Sequence, residues 1–323
     1  MEDQRHSSPH FNGKRFMNPN GPAGRGLWDF LRWAATWERK RWPSRMNRLS
    51  TNGCGPIELS CDKIAATFIG HSTFLLHVGG VNILTDPIFS ERSSPVSWAG
   101  PKRVTPPGLP FEKLPRIDLV LVSHNHYDHM DGPTLRLLRR EFDPFFVTGL
   151  GNVRWLRRLA GIQKAIELDW WSAHQFRDEM TITMTPSQHF SSRSMFDRDR
   201  TLWGGFLIGV GARQIYFAGD SGYADHFKEI AEKAGCIDLA LLPIGSYEPR
   251  WFMKLAHVNP QEAVQAHLDL NPRQSIAMHF GTFQLTDEGI EAPIEDLRTA
   301  LRQRGVEESK FCVLNFGETL ILS

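Results

Sequence analysis

Sulfur chemistry is scarce in this 323-residue chain. Its four cysteines, Cys54, Cys61, Cys236 and Cys312, are scattered and form no C-x-x-C pair. That pattern argues against a thiolate zinc site or a disulfide frame, and the four read as reduced thiols. Long apolar runs are missing as well. No stretch approaches the roughly 20 residues of a membrane-spanning helix, and Met1-Glu2-Asp3-Gln4-Arg5 opens no signal-peptide pattern. The expectation is a cytoplasmic protein. The chain also lacks a strong net charge, standing at +1, but that balance hides an asymmetry. Residues 1–50 hold ten Lys/Arg against four Asp/Glu, which makes the front +6 and the remainder −5. A mildly acidic body opposes phosphate-backbone binding, so no nucleic-acid partner is expected. The basic front reads either as attracted to an anionic surface or as a solvated arm.

What is present is a full core and one dense polar stretch. Apolar residues make up 41% of the chain, enough for one large domain or two small ones. The polar stretch is Ser123-His124-Asn125-His126-Tyr127-Asp128-His129-Met130-Asp131. Before it, 117–122 reads as a buried parallel strand. After it, Asp131 reads as a helix cap with Pro133 in the first turn. The loop therefore stands at the carboxyl end of a strand, where open α/β sheets bind ligands. His124 and His126 can grip one metal, and Asp128 and His129, past the bend, can serve a second. The run resembles the HxHxDH signature of the metallo-β-lactamase superfamily.

The rest of the chain repeats that placement. Residues 1 to about 25 read as a loosely structured arm. Over 26–43, Leu27, Phe30, Leu31, Ala34 and Trp37 recur at helical spacing beside Arg32, Arg39, Lys40 and Arg41, until Pro43. This basic, Trp-rich amphipathic helix either lies in a membrane interface or packs on the body. Strands are expected over 66–78 and 81–85 around the Gly79-Gly80 turn. Asp86 closes them and suits a role holding the His loop. His71 either reaches the metal pocket or is a core histidine. Residues 88–116 form a long Pro-studded loop. Helices are expected over 133–141, 153–160, 261–268 and 293–304. His189, Asp220 and His279 each follow a buried strand, as His124 does, so their side chains converge at one sheet edge.

The ligand arithmetic is then complete. His124, His126 and His189 can hold one metal, Asp128, His129 and His279 the other, and Asp220 can bridge them. An all-nitrogen-and-oxygen set suits two Zn²⁺, with Fe, Mn or Co left open. Two metals roughly 3.5–4 Å apart would lower the pKa of a water held between them, so hydrolysis needs no protein nucleophile.

Asp86, the 124–129 loop, His189, Asp220 and His279 match all five metal motifs of the superfamily. The resemblance implies an α/β fold, a four-layer αββα sandwich, over residues 64–323, with the basic arm and Trp-rich helix occupying 1–63. Longer runs narrow the resemblance. Leu84-Thr85-Asp86-Pro87-Ile88-Phe89-Ser90, Gly100-Pro101-Lys102-Arg103, Thr185-Pro186-Ser187-Gln188-His189, Phe217-Ala218-Gly219-Asp220-Ser221-Gly222-Tyr223 and Pro243–Lys254 are similar to the N-acyl-phosphatidylethanolamine-hydrolysing phospholipase D family. This would be a compact, prokaryote-like member. That family implies hydrolysis of the phosphodiester of an N-acylated phosphatidylethanolamine to an N-acylethanolamine and a phosphatidic acid, through a metal-bridging hydroxide. Asp128 and His257 would be catalytic, His257 by hydrogen bonding near the phosphate or protonating the leaving alkoxide. Tyr127, Gln188 and His257 would contact substrate. Lys254 reads as a solvent-facing charge. A phospholipid substrate follows from the same resemblance, peripheral contact with the inner face of the membrane is expected from the Trp-rich basic segment, and a homodimer is compatible with the resemblance. Two other readings stand beside it: a soluble metallohydrolase of the same fold acting on a small phosphodiester or phosphorylated lactone, and a non-enzymatic metal-bearing sensor.

Overall fold

The computed structural model describes residues 4–36, 40–47, 63–194 and 196–323. Cys54, Cys61, Trp37 and Arg39 lie outside them. Two seven-stranded mixed sheets face each other with helices on their outer sides, the expected αββα sandwich. The elements run α1 (Leu27–Ala35), β1 (Ile64–Gly70), β2 (Thr73–Val78), β3 (Val81–Thr85), β4 (Leu119–Val122), α2 (Gly132–Glu141), β5 (Phe145–Gly149), α3 (Val153–Ala160), β6 (Ala165–Leu168), β7 (Ala173–Arg177) and β8 (Met180–Thr185). They continue with β9 (Gly205–Val210), β10 (Arg213–Phe217), α4 (His226–Ala234), β11 (Leu239–Pro243), α5 (Arg250–Met253), α6 (Pro260–Leu270), β12 (Gln274–Met278), α7 (Ala292–Arg304), β13 (Phe311–Cys312) and β14 (Thr319–Leu322).

The two sheets share a plan. The first has the order β14-β1-β2-β3-β4-β5-β6 and the second β13-β12-β11-β10-β9-β8-β7. In the first, β3 to β6 pair in parallel and β14 to β3 antiparallel. In the second, β10 to β13 are parallel and β7 to β10 antiparallel. β4 shows why the parallel strands read as unbroken apolar runs. Leu119 and Leu121 face the core between the sheets, while Val120 and Val122 face α2 and α3. With both faces covered, every position is apolar. Each such side chain contributes roughly 1.5–3 kcal/mol on burial.

The helix starts follow from their caps. Asp131 accepts from the Thr134 backbone N–H at 3.3 Å and from the Ser90 hydroxyl at 2.6 Å, with Pro133 in the first turn. α6 begins with a capping box between Asn259 and Glu262.

The front of the chain departs from its composition. Residues 4–25 are laid against the body rather than loose. Phe16 is buried in the main core, and its N–H donates to Asp199 O at 2.7 Å. The Asn18 amide donates to His189 O at 2.8 Å. Local polarity predicts solvation, but Asp199 and His189 lie 183 and 171 residues further along the chain and cannot be read locally. α1 is similarly divided. Trp33 stacks on Phe252 at 5.2 Å and donates to Asp287 at 3.2 Å, whereas Trp28 is 82% exposed and Leu31 is exposed. Among the described residues no helix is long and apolar enough to cross a membrane.

Candidate metal centre

Strand ends from both sheets meet at one edge. β3 delivers Asp86, β4 the 123–131 loop, β8 His189, β10 Asp220, and β12 His279. Tight backbone turns aim them. His71, Asp86, Ser246 and His279 all take left-handed backbone angles, with φ of 56°, 33°, 60° and 61°. Non-glycine residues hold such angles only where the surroundings fix them, and they cluster at functional sites. Gly219 (φ 61°) has no room for a side chain: a Cβ would stand 2.9 Å from Ser123 Cβ. Only glycine lets Asp220 turn inward beside the His loop.

The inward atoms form two adjoining groups. His124 Nε2 lies 2.8 Å from His126 Nδ1, and His189 Nε2 lies 3.3 Å from it. Beside them, Asp128 Oδ2 lies 3.4 Å from His129 Nε2 and 3.6 Å from His279 Nε2. Asp220 Oδ2 stands between the groups, 3.1 and 3.2 Å from His129 and His279 and 3.9 and 3.8 Å from His124 and His189. In three of the histidines the ring nitrogen facing away is anchored. His129 Nδ1 donates to Asp86 Oδ2 at 2.6 Å, and His189 Nδ1 donates to Ala256 O at 2.9 Å. His124 Nδ1 meets Ser123 Oγ at 2.8 Å, and that hydroxyl donates to Asp86 at 2.5 Å. Asp86 thus holds two of the rings, as outer partners of metal-ligating histidines do.

The electrostatics divide the same residues. Burial holds His124 well below its ordinary range, and brings His126 to about 3 and His189 to about 4, so each is neutral with a lone pair to give. Burial also acts against charge on His279 and His129, but Asp220 and Asp128 outweigh it. They lift His279 to about 9 and His129 well above the usual value. Burial would favour neutral Asp128 and Asp220, yet the imidazoles keep both well below the usual carboxylate range. Charged groups are therefore buried together with unmet bonding capacity: His129 Nε2, His279 Nε2 and Asp220 Oδ1 are buried without a hydrogen-bond partner. Divalent cations in place of the imidazole protons would satisfy all three. The residues fit the metals that the motif implies.

A cavity of about 810 Å³ opens from this edge. His126, Asp128 and Asp220 form its floor. Phe30 and Trp33 of α1, with Phe190 and Phe252, form apolar walls, and Arg25, Arg193 and Arg198 add positive charge.

Comparison with known proteins follows that geometry. Residues 81–280 match the beta-lactamase superfamily domain. An N-acyl-phosphatidylethanolamine-hydrolyzing phospholipase D of Caenorhabditis elegans is 39% identical over 266 residues, covering 78% of this chain and 74% of the worm protein. A mitochondrial protein of the same description from Saccharomyces cerevisiae is 36% identical over 253 residues, covering 76% of this chain and 53% of its own length. The chain belongs to this phospholipase D family of the metallo-β-lactamase superfamily. Among solved structures, Igni18, a metallo hydrolase from the archaeon Ignicoccus hospitalis, shares the fold at a TM-score of 0.60 and 23% identity, over 81% of this chain and 99% of its own. The coarse chemistry is that of a metallo-hydrolase.

The site residues expected from the family fall into three cases. The seven expected ligands and Asp86 are brought together. His257 lines the cavity, its ring centroid 5.1 Å from that of His189, and burial holds it neutral, well below its ordinary pKa. It can give or take a hydrogen bond but carries no charge at pH 7. Tyr127 lines the cavity too, although its hydroxyl is committed to Arg193 O at 2.7 Å. Gln188 does not reach the cavity. Along the chain it alternates with His189 and faces the other way, where its amide donates to Gly21 O at 3.0 Å. The contact its side chain makes here is with the N-terminal segment. Lys254 is exposed.

Sequence reasoning also missed two residues. Ser123 relays between His124 and Asp86. Arg193 donates to Asn125 O at 2.9 Å and Met130 O at 2.8 Å, clamping both ends of the His loop. Ser123 had a signal, sitting at a strand end beside a ligand. Arg193 had none.

Proposed function

We propose that the protein hydrolyses the phosphodiester bond of N-acyl-phosphatidylethanolamine, releasing an N-acylethanolamine and a phosphatidic acid. The single observation that carries this reading is the cavity: aromatic walls and arginines stand directly over the metal-ligand floor. A small water-soluble ester needs no such apolar volume, whereas acyl chains do. The relatives' names point to the same substrate.

Two zinc ions held by the seven ligands would supply a water of lowered pKa and neutralise phosphoryl oxygens. The protein's own groups do the rest. Arg25 and Arg198 draw the phosphate to the cavity by charge. Phe30, Trp33, Phe190 and Phe252 take the acyl chains. Neutral His257 offers an N–H to a phosphoryl or leaving oxygen. The exposed Trp28 and Leu31 beside Arg32 give α1 an apolar, basic outer surface for contact with a lipid surface.

The test is mass-spectrometric product analysis of zinc-loaded protein and a His126→Ala control with N-acyl-phosphatidylethanolamine in mixed micelles. Free N-acylethanolamine plus phosphatidic acid, absent with the control, is the expected result. No product from a protein shown to hold metal would overturn the reading in favour of a soluble ester substrate or a sensor.

A further inference from the structure

Seven side chains suffice for two four-coordinate positions. His124, His126, His189 and Asp220 surround one, and Asp128, His129, His279 and Asp220 the other. A further imidazole is nonetheless present beside the five of the ligand set. His71 is buried in the turn between β1 and β2. Its Nε2 lies 3.0 Å from Asp128 Oδ2, and it falls in one cluster with Asp128, His129 and His279.

Its connections to the two sheets separate its role from theirs. Two ligands of one tetrahedral zinc stand about 3.3 Å apart, given metal–ligand distances near 2.0–2.1 Å. His129 and His279 face Asp128 and Asp220 at 3.1–3.6 Å, which suits shared ligation. The 3.0 Å from His71 to Asp128 is a hydrogen-bond length, as is the 2.8 Å between His124 and His126, so the remaining connections of His71 decide its role. Every other connection of His71 is also structural. Its N–H donates to Thr282 Oγ1 at 2.8 Å, and its carbonyl accepts from His279 N–H at 2.8 Å. Its ring lies 4.1 Å from that of His279 and meets Phe283 edge-on at 5.5 Å. One residue of the first sheet thus ties a ligand of its own sheet, Asp128, to a ligand of the other, His279.

We propose that His71 is a positioning residue for the second metal position: its Nε2–H donates to Asp128 Oδ2, fixes that carboxylate, and so sets how tightly the second metal is held. The proposal rests on the two-metal reading of the site. Partners of this kind typically change metal affinity 10–100-fold.

The test reads metal rather than turnover. Wild type, His71→Phe, His71→Ala and His71→Gln are each loaded with zinc, dialysed against graded chelator, and assayed for metal per chain by mass spectrometry. Near-UV circular dichroism checks the fold, and the metal at the first position serves as an internal control. His71→Phe keeps the ring and loses the donor, His71→Ala loses both, and His71→Gln places an amide N–H near the original Nε2. Wild type should hold two metals. His71→Phe and His71→Ala should keep the first and release the second at roughly 10–100-fold lower chelator, while His71→Gln should stay within a few-fold of wild type. Retention of both metals by His71→Phe would reduce His71 to packing and overturn the proposal. Loss of the second metal from His71→Gln, with a cobalt-substituted wild-type spectrum that changes on that substitution, would make His71 a direct ligand and overturn it too. One metal in wild type would remove the two-metal reading itself, which the wild-type measurement alone decides.

Discussion

The floor and the roof of the same cavity are built by opposite means. The floor is set by sheet register: its ligands stand where buried strands end, and left-handed backbone angles at Asp86, Gly219 and His279 help to aim them. The roof, α1 with Arg25, is held by a few side-chain contacts, while the segment before it is anchored by Phe16 in the main core. Trp33 stacks on Phe252, Arg25 donates to Trp251 O at 2.7 Å, and Arg198 donates to Arg25 O at 2.8 Å. A floor so determined can concentrate charge that would otherwise be expelled. A roof so lightly held can be replaced by another apolar surface at small cost. The comparison predicts that damage to the floor abolishes chemistry, and that damage to the roof changes access alone.

The largest effect is expected at Asp220, which faces both ligand groups. Asp220→Asn removes the charge shared by two positions. Metal retention should fall by more than the roughly 100-fold typical of an outer partner, and hydrolysis should fall with it. Metal content and turnover measured on one preparation check this. Retention of both metals by Asp220→Asn would break the claim that the floor acts as a unit.

The second effect is on stability against acid. His226 opens α4 beneath the Asp220 loop, with Nε2 3.1 Å from Ser221 Oγ. Burial lowers its pKa from 6.5 to about 3. The fold therefore favours its neutral form. That contribution is complete above pH 6.5 and is lost as pH falls from 6.5 towards about 3. Its size is of the order of a few kcal/mol. Denaturant unfolding between pH 7 and 4 should show a fall in stability that is shallower in His226→Gln. Equal slopes would place the acid sensitivity elsewhere.

The same contrast explains what was legible in the sequence. The floor was readable because each ligand follows a strand whose apolar run marks its own end, and because His124 to His129 are close in sequence. Asp131 and Asn259 announced their helices by local chemistry. β7 was missed because it is a short edge strand whose residues are half-buried or exposed. α4 was missed although Phe227, Ile230 and Ala234 carry helical spacing, since no side chain caps its start. The roof was illegible for a different reason. In the segment leading to it, Phe16, Asn18 and Gly21 find their hydrogen-bond partners in the loop between β8 and β9, and no local pattern encodes a contact across that distance. His71 stood open between two roles until its distance to Asp128 was known.

The roof supplies the two smaller effects. Trp33→Ala removes an aromatic pair worth about 0.5–1.5 kcal/mol and opens a cavity wall. Metal content should be unchanged while KM for a lipid substrate rises several-fold with kcat nearly constant, because the interaction lost is binding rather than chemistry. A large fall in kcat would show that the roof reaches the reacting atoms.

Trp28→Ser should be the mildest change and the most diagnostic. With 82% of its surface already in water, Trp28 contributes little to the fold, so stability should move by no more than about 0.5 kcal/mol. Turnover of a short-chain, water-soluble analogue should be unaffected, since the side chain is absent from the cavity lining. What it can lose is contact with a bilayer. Co-sedimentation with anionic vesicles should weaken by a few-fold, and the loss should shrink as salt is raised in both proteins, because the neighbouring Arg25 and Arg32 act through a screened field. If binding to vesicles is identical with and without the indole, the outer face of α1 is not the membrane contact, and the roof serves only to close the cavity.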